Sequence, residues 1–488
     1  MAESTLDVVI IGAGLSGIGA AWHLQRTMPR AHYAVIEARA DLGGTWDLFR
    51  YPGVRSDSDF FTFGYDFEPW SSDVALADGA AIKGYLERTA RDAGIDRHIL
   101  FRHRVVRADW SSARRSWELQ LRDADGQPLS LRARWVFCAS GYYRYDQGHA
   151  PDFAGRDDFG GRIVHPQHWP DELDWSGRRV VVIGSGATAV TLVPALAQQA
   201  AHVTMLQRTP TYILPVASRD GLARRLRPWL GARLTHALVR GVNIKRQQWV
   251  YQLCRSHPAL ARRLIRWVNA RMLPSGCDVD RDFRPPYEPW DQRLCVVPDG
   301  DLFRVLREGR ASVLTDQVER FTRDGLLLRS GRELAADIVV TATGLRLQPF
   351  GGIELRVDGA PLRLPEHVAF KGMMLSGVPN FAFAIGYTSA SWTLKVGLVC
   401  EHWCRLLRHM QRRGLDSCVP VAEPGMPTRA LLDFGAGYVQ RSLAELPRQG
   451  AEFPWTMSWN YADDRRMFRE GRVDEPQLRF TSLQEHAA

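Results

Sequence analysis

Residues 7–17 read Asp7-Val8-Val9-Ile10-Ile11-Gly12-Ala13-Gly14-Leu15-Ser16-Gly17. An apolar run ending in Gly-x-Gly-x-x-Gly predicts a β-strand that turns tightly into a helix. The three glycines serve different ends. Gly12 makes the turn, Gly14 lets backbone approach a pyrophosphate, and Gly17 lets helix and strand pack closely. An Ala- and Leu-rich stretch follows, then a second strand, His32–Ile36, ending in Glu37. A carboxylate at that point accepts hydrogen bonds from ribose hydroxyls, while the helix N-terminus offers free N–H groups to phosphate.

The unit recurs further on. Val180–Ile183 runs into Gly184-x-Gly186-x-x-Ala189, then a helix, then His202–Leu206 followed by Gln207-Arg208-Thr209. Here no acid ends the second strand. A carboxylate would repel a 2′-phosphate, whereas the guanidinium of Arg208, with Thr209 beside it, can pair with one in a fork. The first unit is therefore expected to take FAD and the second NADPH. Two more apolar strands end in small residues, Trp135–Cys138 before Ala139-Ser140-Gly141 and Asp337–Val340 before Thr341-Ala342-Thr343-Gly344. Both read as crossings between domains.

The expected fold is α/β, with two dinucleotide-binding (Rossmann-like) domains and a helical insertion in the NADPH domain. Residues 1–145 form the first part of the FAD domain and 341–488 its second part. Residues 146–210 and 277–340 form the NADPH domain, and 211–276 the insertion, where Leu222, Leu226, Leu230 and Leu234 recur at helical spacing.

With 488 residues, the chain is too long for one ordinary core. A hydrophobic fraction of 45% and a charged fraction of 24% are those of a globular protein. Neither a signal peptide nor an apolar run long enough to span a membrane is expected. The seven cysteines include no C-x-x-C, so a zinc site, a disulfide framework and a dithiol relay are not expected, and a reducing cytoplasm fits. The net charge of +9 is concentrated between Thr211 and Gly276, where thirteen Lys/Arg face a single acid, Asp220. That stretch, with Trp229 and Trp249 nearby, is a candidate for peripheral contact with an anionic membrane. No nucleic-acid partner is expected, because surface charge does not account for two complete nucleotide turns.

Between the first crossing and the second nucleotide turn, residues 159–170 read FGGRIVHPQHWP, placing Phe159, Gly161, His165, Trp169 and Pro170 at F-x-G-x-x-x-H-x-x-x-W-P. After Glu37, Gly43-Gly44-Thr45-Trp46 leads to Tyr51-Pro52-Gly53 and Asp57. Both patterns resemble those of type I Baeyer–Villiger monooxygenases, a branch of the flavin-containing monooxygenases. The runs HPQHWP, PWDQRLC, FKGMMLSGVPN and GYTSASWTLK are similar to the bacterial members that activate the thioamide prodrug ethionamide. The likeness covers nearly the whole chain.

The resemblance implies an FAD- and NADPH-dependent enzyme that uses O2. It would insert one oxygen atom into ketones, giving esters or lactones, and oxidise sulfides or thioamides through a peroxyflavin. An enzyme limited to nitrogen or sulfur oxidation is the alternative. By resemblance Gly44, Thr45 and Trp46 run along the flavin and Asp57 lies near its ring, with Asp59 a nearby competitor. Arg293, in Pro289-Trp290-Asp291-Gln292-Arg293, takes the place of the family's active-site arginine. A guanidinium stays charged at any working pH and its planar fork suits oxygen anions. Trp392 is a candidate for the pocket wall.

Overall fold

In the computed structural model, which describes residues 5–292, 294–388, 390–432 and 434–482, the opening strand Leu6–Ile11 lies within a large sheet. It pairs in parallel with Tyr33–Ile36, Val8 opposite Tyr33, and with the end of Pro128–Cys138, Val8 opposite Trp135. Its side chains alternate between two cores. Val8 and Ile10 join Ile18, Leu24 and Trp403 of the flanking helices Leu15–Thr27 and Trp392–Arg413. Val9 and Ile11 join Trp117, Leu119 and Phe383 on the other side. A strand covered on both faces reads as an unbroken apolar run.

An antiparallel meander, Arg104–Ser111, Ser116–Arg122 and Pro128–Cys138, widens this sheet. The chain then leaves it and comes back much later. Glu354–Val357 pairs in parallel with Arg104–Ser111, and Phe381–Phe383 pairs in parallel with residues 136–138.

The excursion builds a second, five-stranded sheet, in the order Ala311–Thr315, His202–Gln207, Arg179–Ile183, Ile338–Thr341, Arg162–Val164. All four pairings are parallel. The helix Ala187–Leu196 covers one face and contributes Val190, Leu192, Val193 and Leu196 to a separate core.

The stretch expected to be a helical insertion begins with a strand. Ile213–Val216 pairs in parallel with Cys295–Pro298. Two helices follow, Gly221–Ser256, broken at Gly231 (φ 69°, ψ 178°), and Pro258–Met272. The leucine spacing produces a helix but not a buried stripe: Leu234 is 61% exposed, while His236 and Asn243 are only 2% and 1% exposed. The long helix turns polar residues inward because its neighbour presents backbone acceptors. Arg240 donates to the carbonyls of Phe61, Thr62 and Gly64. Arg227 donates to those of Trp70, Ser71 and Ser72. An inserted segment of the second unit is thus fastened onto residues 59–74 of the first.

Candidate active site

Gly12 has φ +103°, and a Cβ there would stand 2.7 Å from the carbonyl oxygen of Ala139. The crossing at Ala139–Gly141 passes directly over the turn, so only glycine fits. A Cβ on Gly17 would stand 1.8 Å from the Gly12 carbonyl oxygen, which puts helix and turn in backbone contact. No side chain caps the helix at Gly14, so its first N–H groups remain for a ligand. Glu37 is buried at the end of the second strand. Its Oε2 accepts from Ala13 N and its Oε1 from Arg39 N, each at 2.8 Å. Burial raises its pKa and the two backbone donors oppose the rise. Each carboxylate oxygen retains acceptor capacity, as ribose recognition needs.

The second turn repeats this construction. Gly184 has φ +140°, and a Cβ there would meet the Ala342 carbonyl oxygen at 2.3 Å. Gly186 leads into Ala187–Leu196, again without a side-chain cap. Ala189, in place of a third glycine, is fully buried. Arg208 follows the strand His202–Gln207 directly and is exposed. The carbonyl of Thr209 accepts from Ser185 Oγ at 2.8 Å, tying this segment to the turn.

A cavity of about 580 Å³ joins the two units. Gly12, Gly14, Glu37, Gly44, Thr45, Trp46, Asp57 and Trp392 all line it, and so do Ala187, Thr188 and Thr191 from the second unit's helix. Thr45 and Tyr145 hydroxyls lie 3.2 Å apart across it. The Trp392 indole donates to Ser16 Oγ at 2.9 Å and stacks on Tyr142, with ring centroids 5.0 Å apart. Asp59 faces elsewhere: it caps the short helix Phe60–Phe63 through Thr62 N and accepts from Asn243 of the inserted helix, each at 3.1 Å. Of the two neighbouring carboxylates, only Asp57 borders the cavity. Arg293 lies outside the described residues.

The stretch 159–170 runs along the seam. Phe159 packs on Phe321, and a Cβ on Gly161 would collide with the Asp337 carbonyl. Trp169 meets Trp175 edge to face at 5.8 Å, with Pro170 closing the segment onto Leu173. His165 Nδ1 accepts from Gln167 N at 3.2 Å, and its Nε2 lies 3.3 Å from the Gly344 carbonyl. Burial lowers the pKa of His165, so the ring is neutral near pH 7. Gln167 donates to the carbonyls of Arg144 at 2.7 Å and Tyr145 at 2.9 Å. Together the two side chains clasp both crossings.

Sequence reasoning missed Gln167, which occupies an unspecified position of an otherwise recognised pattern. It also missed Arg441, which belongs to no motif. Arg441 lies beside Gly344, and desolvation, then the Arg346 and Arg208 guanidiniums, lower its pKa. The seam therefore concentrates positive charge beside the second nucleotide turn.

This arrangement can hold an extended dinucleotide along the first turn and bring a second one to the same cavity. Comparison with known proteins agrees. Residues 10–74 match the NAD(P)-binding Rossmann-like domain model, and residues 65–253 match the flavin-binding monooxygenase-like model. The FAD-containing monooxygenase EthA of Mycobacterium tuberculosis is 52% identical over 478 residues, 97% of each chain. The probable FAD-binding monooxygenase AlmA of an Acinetobacter species is 44% identical over 489 residues, 100% of this chain and 98% of the relative. In fold, the chain is similar to an open cyclohexanone monooxygenase (TM-score 0.78) and to an oxidised steroid monooxygenase bound to NADP (TM-score 0.76). Each is 20% identical, with 98% of this chain and 100% of the other covered. Because near-complete relatives share about half of its residues, the chain belongs to the flavin-binding monooxygenase-like family.

Proposed function

We propose that this protein is an FAD- and NADPH-dependent monooxygenase that inserts one atom of O2 into ketones and oxidises sulfides or thioamides. The observation that carries this reading is one cavity lined both by the first nucleotide turn and by Ala187, Thr188 and Thr191 of the helix that follows the second. FAD fits the first unit: the Gly12–Gly17 turn leaves no side chain in the way of a pyrophosphate, and Glu37 is placed for the adenosine ribose. Gly44, Thr45 and Trp46 line the way toward Asp57. When bound, the flavin supplies hydride acceptance and oxygen activation, chemistry that no side chain here provides.

The chain's own residues position, shield and polarise. The helix N-terminus at Gly186 would receive the NADPH pyrophosphate, and Arg208 would receive the 2′-phosphate. Trp392, locked by Ser16 and Tyr142, closes one wall against water. Asp57 sets a negative field at the cavity's edge and orients a cation. By the resemblance of residues 289–294, Arg293 would be that cation, and its fixed charge would favour negative charge on oxygen.

Purified protein is expected to carry about one FAD per chain and to consume NADPH far faster than NADH. A panel of ketones and sulfides, analysed for products, separates the readings. Ester or lactone supports the proposal, whereas sulfoxides alone identify an enzyme restricted to heteroatoms. For Arg293→Ala we expect continued NADPH consumption, with product formation falling roughly 10²–10³-fold and hydrogen peroxide appearing instead. Ester made at the wild-type rate would place the catalytic cation elsewhere.

A further inference from the structure

The inserted helices carry an unusual surface. On Gly221–Ser256 the positions Leu234, Leu238, Val242, Lys245 and Trp249 follow steps of four, four, three and four and so lie on one face. All five are exposed, Leu234 at 61% and Trp249 at 62%. The neighbouring helix Pro258–Met272 presents Leu260, Leu264 and Trp267 in the same manner. Trp229, before the Gly231 break, is 85% exposed. Among the described residues, most of the exposed large apolar side chains fall within these two helices, and a concentration of that kind marks an interaction surface.

The charge around this surface identifies the occupant. Of the thirteen cations, Arg219, Arg255, Arg262 and Arg266 are ion-paired. Arg227 and Arg240 serve backbone carbonyls. Among the described residues Arg224, Arg225, Lys245, Arg246 and Arg263 have no acidic partner and are exposed. A second copy would bring the same positive charge and be repelled. Nucleic acid would match the charge but leave the apolar stripes against water. A sheet of acyl chains beneath anionic headgroups satisfies both.

We infer that residues 221–271 dock peripherally on an anionic lipid surface, with the apolar stripes buried at the level of the headgroups and the unpaired cations on lipid phosphates. The inward face of the same helix holds Asp59 and Thr62, close in sequence to Asp57. Docking through the outward face therefore leaves these inward contacts of the helix undisturbed.

Sedimentation of the full-length protein with phosphatidylglycerol vesicles and with phosphatidylcholine vesicles tests this. Binding is expected to the first and not the second, and to weaken with salt. Each of Arg224→Glu, Arg225→Glu, Lys245→Glu and Arg246→Glu is expected to lower partitioning about five-fold or more. Leu234→Ser with Leu238→Ser and Trp249→Ser is expected to abolish it. All these positions are exposed, so unchanged thermal unfolding and flavin absorbance serve as folding controls. Equal binding to both vesicles, binding to neither, or wild-type partitioning by either variant set overturns the inference. So does self-association that the serine variant abolishes, or retention by a DNA duplex instead of the vesicles.

Discussion

Arg208 and Arg441 come from distant parts of the chain, one after a strand of the second sheet and one just past the short helix Gly437–Gln440. Arg208 is one of the guanidiniums that lower the pKa of Arg441. A phosphate dianion between them would relieve that repulsion. A hydrogen bond to a charged group contributes about 1.5–3 kcal/mol. Arg208→Ala is therefore expected to cut the NADPH-over-NADH ratio of kcat/KM at least ten-fold, and Arg441→Ala to cut it by a smaller factor. Both should leave kcat with saturating NADPH nearly intact. Steady-state kinetics with each nucleotide checks this, and an unchanged ratio for Arg208→Ala would remove it from the phosphate site. Gly17→Ala belongs to the same scale. Its Cβ would stand far inside contact distance of the Gly12 carbonyl, and overpacking of that kind costs about 1–3 kcal/mol. The variant should bind FAD poorly and unfold at lower urea.

Two elements have properties that no single residue carries. The long inserted helix is pinned through His236, whose Nδ1 accepts from Trp70 N at 3.2 Å and whose Nε2 lies 3.2 Å from the Tyr65 carbonyl. Burial, and then the Arg240 guanidinium, push its pKa down to about 4 from an ordinary 6.5. Between those values the unfolded chain binds a proton that the folded chain refuses. Stability is thus complete above pH 6.5 and declines as the pH falls toward 4. His236→Gln should flatten this dependence. The wild-type advantage over the variant is expected to shrink by about 1–3 kcal/mol between pH 7 and pH 4 in urea unfolding, and parallel curves would show that His236 does not titrate in this range. The linker is the second element. His165→Ala and Gln167→Ala should keep FAD yet slow its reduction by NADPH or release hydrogen peroxide. Unchanged reduction and coupling would leave the clasp a purely structural role.

At the scale of the molecule, the two crossings lie side by side. His149 N donates to the Gly344 carbonyl at 3.1 Å, and Thr343 Oγ1 donates to the His149 carbonyl at 2.5 Å. If the nucleotide units close on NADP⁺, these hydrogen bonds open less often. Hydrogen exchange at residues 144–149 and 341–346 should then slow when NADP⁺ is added to the flavin-loaded protein. Exchange that ignores NADP⁺ would argue against closure about this seam.

Sequence alone dictated the two nucleotide turns, because their requirements are local: a glycine where φ is positive, small residues where backbone meets backbone, and an acid or an arginine at a strand end. It also pointed to the crossings, since Ala139 and Ala342 are small where Gly12 and Gly184 lie beneath them. Resemblance favoured Asp57 over Asp59, two residues on, but that the inserted helix holds Asp59 while Asp57 borders the cavity is a matter of the tertiary fold. The fold alone brought Arg441 toward Arg208, a proximity that no spacing encodes. It alone left Leu222 and Leu234 of the insertion exposed. Helical periodicity says which residues share a face, but which face is buried depends on the neighbour, and here the neighbour offered unsatisfied carbonyls that polar side chains, not leucines, could meet.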